Sequence, residues 1–124
     1  MITPKYEIIK KRKERLRKSI RKNIHGTPEK PRMIMVRTNK YLYTQVIDDN
    51  SGNVLACAST LEKDVRANLK STKDKEAAKL IGKVIADRLK EKQIESVVFD
   101  RNIYPFTGRV KIFADSAREN GIKF

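Results

Sequence analysis

Three carboxylates stand where metal-dependent chemistry would want them. Asp48 and Asp100 each close a strand-like run, and Asp115 falls inside a helical pattern. Brought together, they would offer hard oxygen ligands to a divalent cation and support phosphodiester hydrolysis. A plainer role competes with this one. Asp48 and Asp100 serve equally well to end their strands, and a negative charge early in a helix is favoured by the peptide dipoles. Asp100 is also followed at once by Arg101, which suits pairing or phosphate contact better than sharing a site with a cation. A metal-dependent nuclease using Asp48, Asp100 and Asp115 is therefore the weaker alternative. His25 lies in a turn-rich stretch with no obvious partner, and Cys57 lies in an apolar run where an inert core thiol is expected. With one Cys and one His, neither a disulfide framework nor a zinc site can be built within the chain. No phosphate-cradling glycine loop is present. The reading is of a non-enzyme with no catalytic residue, metal or cofactor.

Two loops carry a different chemistry. Arg37-Thr38-Asn39-Lys40-Tyr41-Leu42-Tyr43 places two cations, a hydroxyl, an amide and aromatic rings at one turn. Cations contact phosphate, amides and hydroxyls bond sugars or base edges, and rings stack on unpaired bases. Arg101 to Arg109 repeats the mixture, with Tyr104, Phe106 and Thr107 between the cations, just before a helix signal. A helix N-terminus is itself favourable for phosphate. For either loop alone, a solvated turn covering the core is as good an account; two of them on a strongly basic chain point to RNA.

The basic character is uneven. The chain of 124 residues has 29 Lys and Arg against 15 Asp and Glu, a net of +14. Residues 1–40 hold 14 basic and 3 acidic side chains, net +11, while residues 41–124 hold 15 and 12, net +3. Between Lys5 and Lys22, 10 of 18 residues are Lys or Arg. Lys11, Arg12, Arg15, Arg17, Lys18, Arg21 and Lys22 are the arm's candidate phosphate contacts. Ile9, Leu16, Ile20 and Ile24 recur near helical spacing, but the stripe is thin and like charges stand four apart at Lys11–Arg15 and Arg17–Arg21. Such a segment is expected to be disordered alone and helical on a polyanion. The same thin stripe ranks a membrane-surface or calmodulin-type role lowest. No apolar run approaches the ~20 residues a bilayer span needs. The start lacks a signal-peptide core, and Glu7, Glu14 and the scarcity of Ser argue against a mitochondrial presequence.

Elements must position these groups. His25 to Pro31 holds two prolines and a glycine and breaks the chain, so residues 1–28 are assigned to the basic arm and 29–124 to one domain. Arg32–Arg37, Tyr41–Ile47 and Val54–Ala58 read as three antiparallel strands, with Asn39-Lys40 as a hairpin turn. Ser59 followed by Glu62 has capping-box spacing, so a helix is expected from there, breaking near Ser71. Thr72 is the expected N-cap of a longer helix whose apolar face is Ala77, Ala78, Ile81, Val84, Ile85 and Leu89. Ser96–Asp100 is a short strand, and Thr107 caps a last helix stopped at Asn120-Gly121. A strand, long helix, strand succession implies a crossover to a parallel strand. The fold class is α/β: a small mixed sheet of three antiparallel strands plus one parallel strand, with packed helices, preceded by the basic arm.

Several segments are similar to one family. Arg21-Lys22-Asn23-Ile24-His25-Gly26-Thr27-Pro28-Glu29-Lys30-Pro31-Arg32 and Arg37 through Asp48 resemble segments of bacterial large-subunit ribosomal protein number eighteen, a 5S rRNA binder. So do Ala58-Ser59-Thr60-Leu61-Glu62-Lys63, Glu76-Ala77-Ala78, Ile81-Gly82, Val97-Val98-Phe99-Asp100-Arg101 and Gly108-Arg109-Val110-Lys111. The likeness covers about the whole chain. Three positions depart from it. Asn102 and Ile103 replace a usual pair of glycines, Thr107 replaces a common His, and Cys57 stands where Ser is usual.

The resemblance implies a ribonuclease-H-like motif without nuclease activity, and the first strand carries Arg32 and Arg37 but no carboxylate for a metal. It implies 5S rRNA as partner, 23S rRNA contact in the central protuberance, neighbouring large-subunit proteins, a monomer outside the ribosome, no membrane, and a cytoplasmic location in the ribosome. The residues carried over are the arm cations, Thr38, Asn39 and Lys40 with Tyr41 and Tyr43, and Arg101, Tyr104, Arg109 and Lys111. Arg32 and Arg37, the cations of the first strand, join them as RNA-binding candidates.

Overall fold

The computed structural model describes residues 5–21, 24–38, 40–102, 104 and 106–124, and within the first helix the side chains of 9–16 and 18 only. Helix α1 spans Lys5–Arg21. Strands β1 (Arg32–Arg37), β2 (Leu42–Asp48) and β3 (Asn53–Ser59) follow, then a one-turn helix α2 (Lys63–Arg66), helix α3 (Lys75–Glu91), strand β4 (Val98–Asp100) and helix α4 (Gly108–Glu119). The sheet order is β3-β2-β1-β4. β1 pairs antiparallel with β2, from Arg32↔Ile47 to Arg37↔Leu42, and parallel with β4, from Arg32↔Val98 to Ile34↔Asp100. β2 pairs antiparallel with β3, with an irregularity at Val46/Ile47. This is the mixed α/β sheet expected from the sequence, with β1 central and β4 reached by the α3 crossover.

The pattern of β2 shows why it is a strand. Leu42, Thr44, Val46 and Asp48 are buried and alternate with more accessible neighbours, the period of a pleated strand. Buried Thr44 satisfies its hydroxyl by donating to the Ile34 carbonyl at 3.0 Å. Facing α3, β3 offers the small buried residues Ala56 and Ala58. The α3 stripe of Ala77, Ala78, Ile81, Ile85, Ala86 and Leu89 completes the core with Met33, Met35, Val97, Val110 and Phe113. Val84 is only half-buried. Gly82 admits α4 closely: a Cβ there would lie 2.7 Å from the Phe113 carbonyl oxygen and 2.8 Å from Ser116 Cβ.

Four local expectations change. Ser59 does not open a helix, because it is the last residue of β3 and pairs with Tyr43. Half of the capping box survives there, since the Glu62 carboxylate accepts the Ser59 N–H at 3.0 Å, but α2 begins only at Lys63. Asp74, not Thr72, caps α3, accepting the Ala77 N–H at 2.9 Å. A carboxylate accepts this bond better than a hydroxyl does, and the Thr72 hydroxyl donates instead to the Lys40 carbonyl. Cys57 is exposed rather than buried, because the inward positions of β3 are Ala56 and Ala58. The β1–β2 hairpin closes with four loop residues instead of two, since Arg37 pairs with Leu42 and the Thr38 N–H donates to the Tyr41 carbonyl at 2.9 Å.

The last helix follows its sequence signals. Thr107 occupies the N-cap position, without a side-chain capping bond, and Gly121 adopts φ +100° just past the C-cap Asn120. That left-handed conformation is one that glycine enters without penalty.

Candidate nucleic-acid interface

The two mixed polar–aromatic loops, which begin 64 residues apart at Arg37 and Arg101, meet in space through Arg37 and Tyr104. The Tyr104 hydroxyl accepts the Arg37 N–H at 3.2 Å and lies 3.3 Å from the Arg37 carbonyl. The Arg37 guanidinium sits 4.5 Å from the centre of the Tyr104 ring, within cation–π range. Arg101 donates to the Tyr104 carbonyl at 2.8 Å and so holds its own loop in shape. Arg37 is exposed and Tyr104 half-buried, which leaves the cation open to a phosphate.

The hairpin tip is internally braced. The Tyr41 N–H donates to the Thr38 hydroxyl oxygen at 3.1 Å, so Thr38 shapes the loop. Lys40 is exposed beside it. Tyr41 and Tyr43, both half-buried, meet edge to face with ring centres 6.4 Å apart. Asn39 lies outside the described residues.

Arg37, Thr38, Tyr104 and Arg109 share an open groove of about 1010 Å³ that Lys73 and Lys75 also line. Arg109 donates to the Lys73 carbonyl at 2.8 Å. Lys111 is exposed on α4. The sequence reading passed over Lys73 and Lys75, because Asp74 and Glu76 dilute the charge of that stretch. Their spacing ahead of a helix was the available signal.

On α1, Lys11, Arg12, Arg15 and Lys18 are exposed along with Ile9 and Leu16. The side chains of Arg17 and Arg21, and Lys22 altogether, lie outside the described residues. Arg32 is buried within the domain. Its side chain is 10% exposed, bonding Asp49 through Nε at 3.0 Å and Asp100 through a terminal nitrogen at 2.9 Å. Burial alone would depress the guanidinium's pKa, but the hydrogen bonds from Asp49 and Asp100 outweigh it and raise it. Arg32 therefore ties elements of the domain together, with three of its five N–H donors committed to Asp49 and Asp100.

The three aspartates of the nuclease alternative do not converge. Asp48 accepts the Asn50 N–H and the Ser51 hydroxyl of its own turn, at 3.0 and 2.9 Å. Asp100 is held by Arg32 and by the Asn102 N–H. Asp115 lies 3.9 Å from Arg118 on α4. Among the described residues, no cluster of three or more His, Cys, Asp or Glu could hold a metal ion. His25 is exposed, with Nε2 2.7 Å from the Asn50 side-chain oxygen.

Residues 5–124 match the family model described as ribosomal L18 of archaea, bacteria, mitochondria and chloroplasts. The chain belongs to the ribosomal L18 family. A large ribosomal subunit protein uL18 from Caldicellulosiruptor saccharolyticus is 50% identical over 121 residues, covering 96% of this chain and 98% of the relative. One from Dictyoglomus turgidum is 51% identical over 121 residues, covering 94% and 99%. One from Petrotoga mobilis is 49% identical over 105 residues, covering 85% and 86%. The family makes the chain a structural constituent of the large ribosomal subunit, with ribosomal RNA as its partner and the ribosome, in the cytoplasm, as its place. No helix among the described residues is long and apolar enough to cross a membrane.

Proposed function

We propose that this ribosomal protein binds 5S rRNA and helps attach it to 23S rRNA in the central protuberance, by a structural mechanism without turnover. The observation that carries the reading is the Arg37–Tyr104 contact, which fuses the two mixed loops into one surface. A general polyanion binder needs only charge. A surface combining exposed cations with half-buried rings suits RNA, where phosphates and unstacked bases are presented together. Lys40, Arg101, Arg109 and Lys111 supply charge, and Tyr41, Tyr43 and Tyr104 supply rings. The arm of residues 1–28 neutralises phosphates and releases counterions, while the domain of residues 29–124 holds the reading loops in fixed relation. Outside the ribosome the protein is a monomer, and inside it neighbouring large-subunit proteins lie within reach.

Competition binding tests this. Labelled 5S rRNA is bound to the full chain and challenged with excess unlabelled RNA of equal length and unrelated sequence. Retained 5S rRNA supports the reading. Equal displacement by the unrelated RNA reduces the protein to a non-selective polyanion binder.

A further inference from the structure

The connection between α2 and α3 carries a feature that neither the motifs nor the two loops account for. Arg66, Lys70, Lys73 and Lys75 stand there with Asp74 as the sole carboxylate from 66 to 75, and all four cations are exposed. Asp74 is committed to capping α3 through the Ala77 N–H. The backbone that carries the lysines is pinned at three points. The Thr60 hydroxyl donates to the Thr72 carbonyl at 2.8 Å, the Thr72 hydroxyl donates to the Lys40 carbonyl, and Arg109 donates to the Lys73 carbonyl. Two of these ties lead directly to the candidate interface, one to the hairpin tip and one to α4.

The segment also lines two hollows. One is the groove of about 1010 Å³ shared with Arg37 and Tyr104, and the other a hollow of about 360 Å³ shared with Lys40 and Tyr41. Ser71 and Lys73 line both. Exposed lysines on a fixed backbone common to two cation- and ring-lined hollows fit a sugar–phosphate backbone running from one to the other. Because the backbone is held before binding, only lysine side-chain freedom is lost when phosphates arrive.

We propose that Lys70, Lys73 and Lys75 form an additional phosphate-contacting ridge, engaging the backbone of the same RNA that the Arg37–Tyr104 surface binds. The assignment rests on the 5S rRNA reading, and the test separates the two.

The full chain, the Lys70→Gln/Lys73→Gln/Lys75→Gln variant, a charge-matched Lys79→Gln/Lys83→Gln/Lys90→Gln variant and a chain lacking residues 1–24 are titrated with 5S rRNA across salt concentrations. Unchanged circular dichroism and thermal melting establish that the variants are folded. The ridge variant is expected to lose about tenfold or more in affinity at low salt and about two to three units of log–log salt slope. The charge-matched variant is expected to lose markedly less. Equal losses in the two would assign the effect to net charge and overturn the ridge. An unchanged slope in the ridge variant, with a reduced slope on arm deletion, would overturn the ridge and leave the 5S reading standing. If the full chain itself does not bind 5S rRNA, both fall.

Discussion

Arg32 and Asp100 join the start of β1 to the end of β4 through a 2.9 Å bond between side chains that are 10% and 1% exposed. The same guanidinium bonds Asp49 beyond β2, and Asp49 in turn accepts the Gly26 N–H at 2.7 Å. One buried cation thus ties the central strand, the edge strand, the β2–β3 turn and the segment leading in from the arm. Gly26 packs against the start of β1 only because it lacks a Cβ, which would lie 2.4 Å from the Arg32 backbone nitrogen.

Replacing Arg32 by Met should therefore cost about 3–5 kcal/mol, the usual consequence of stranding a buried charge. Urea denaturation measures it. A double Arg32→Met/Asp100→Leu variant should recover part of the loss, because no unpaired carboxylate then remains at the Asp100 position. A single variant as stable as the parent would contradict the role assigned to Arg32.

Acid should weaken this network and the separate Arg88–Glu62 pair. The hydrogen bond from Arg32 holds the Asp49 carboxyl below the usual carboxylate range, and the hydrogen bond from Arg88 does the same for Glu62. In each case the unfolded chain binds the proton more readily. Their stabilising contribution is complete above the ordinary carboxylate pKa near 4 and is lost as pH falls below it. Stability measured from about pH 6 to pH 2 should drop, and Asp49→Asn should show a shallower drop. Identical profiles for the two proteins would remove Asp49 from the account.

Gly82 sets helix propensity against packing. In an exposed helix interior, Gly→Ala stabilises by about 1 kcal/mol. Here the added methyl would press on the Phe113 carbonyl and Ser116. Overpacking costs about 1–3 kcal/mol, so Gly82→Ala should be net destabilising. A raised melting temperature would show that α3 and α4 separate easily.

The outer strand β3 is covered by side chains. Arg88 donates to the Cys57 carbonyl at 2.6 Å, Lys92 donates to the Leu55 carbonyl, and Glu62, bonded to Arg88 at 2.8 Å, accepts the Ser59 N–H. These groups occupy bonds that a second strand would otherwise make. An Arg88→Ala/Lys92→Ala variant should self-associate with rising concentration in light scattering, while the parent does not. A variant that stays as dispersed as the parent would mean that the edge is protected in some other way.

The strands and the long helix were legible in the sequence because their signals are local and periodic: alternation in Leu42–Asp48, and an apolar stripe from Ala77 to Leu89. It misplaced the start of α2 because Ser59 satisfies a capping pattern and a strand pattern at once, and pairing with Tyr43 decides between them. Arg32 passed for a surface cation because nothing local reveals that Asp49 and Asp100 converge on it from distant elements. Cys57 was read as buried because an apolar run does not show which of its alternating faces is turned inward. The joining of the two loops through Tyr104 was out of reach for the same reason, since Arg37 and Tyr104 meet only after β4 docks on β1.

The central claim divides labour: the arm supplies charge and the domain supplies selectivity. The most direct test is a salt titration of 5S rRNA and of an unrelated RNA of equal length, against the full chain and a chain lacking residues 1–24. Deletion should lower affinity for both RNAs and flatten the log–log salt slope by several units, while the preference for 5S rRNA persists. Affinity and slope that both survive the deletion, or a preference that vanishes with the arm, would contradict the account.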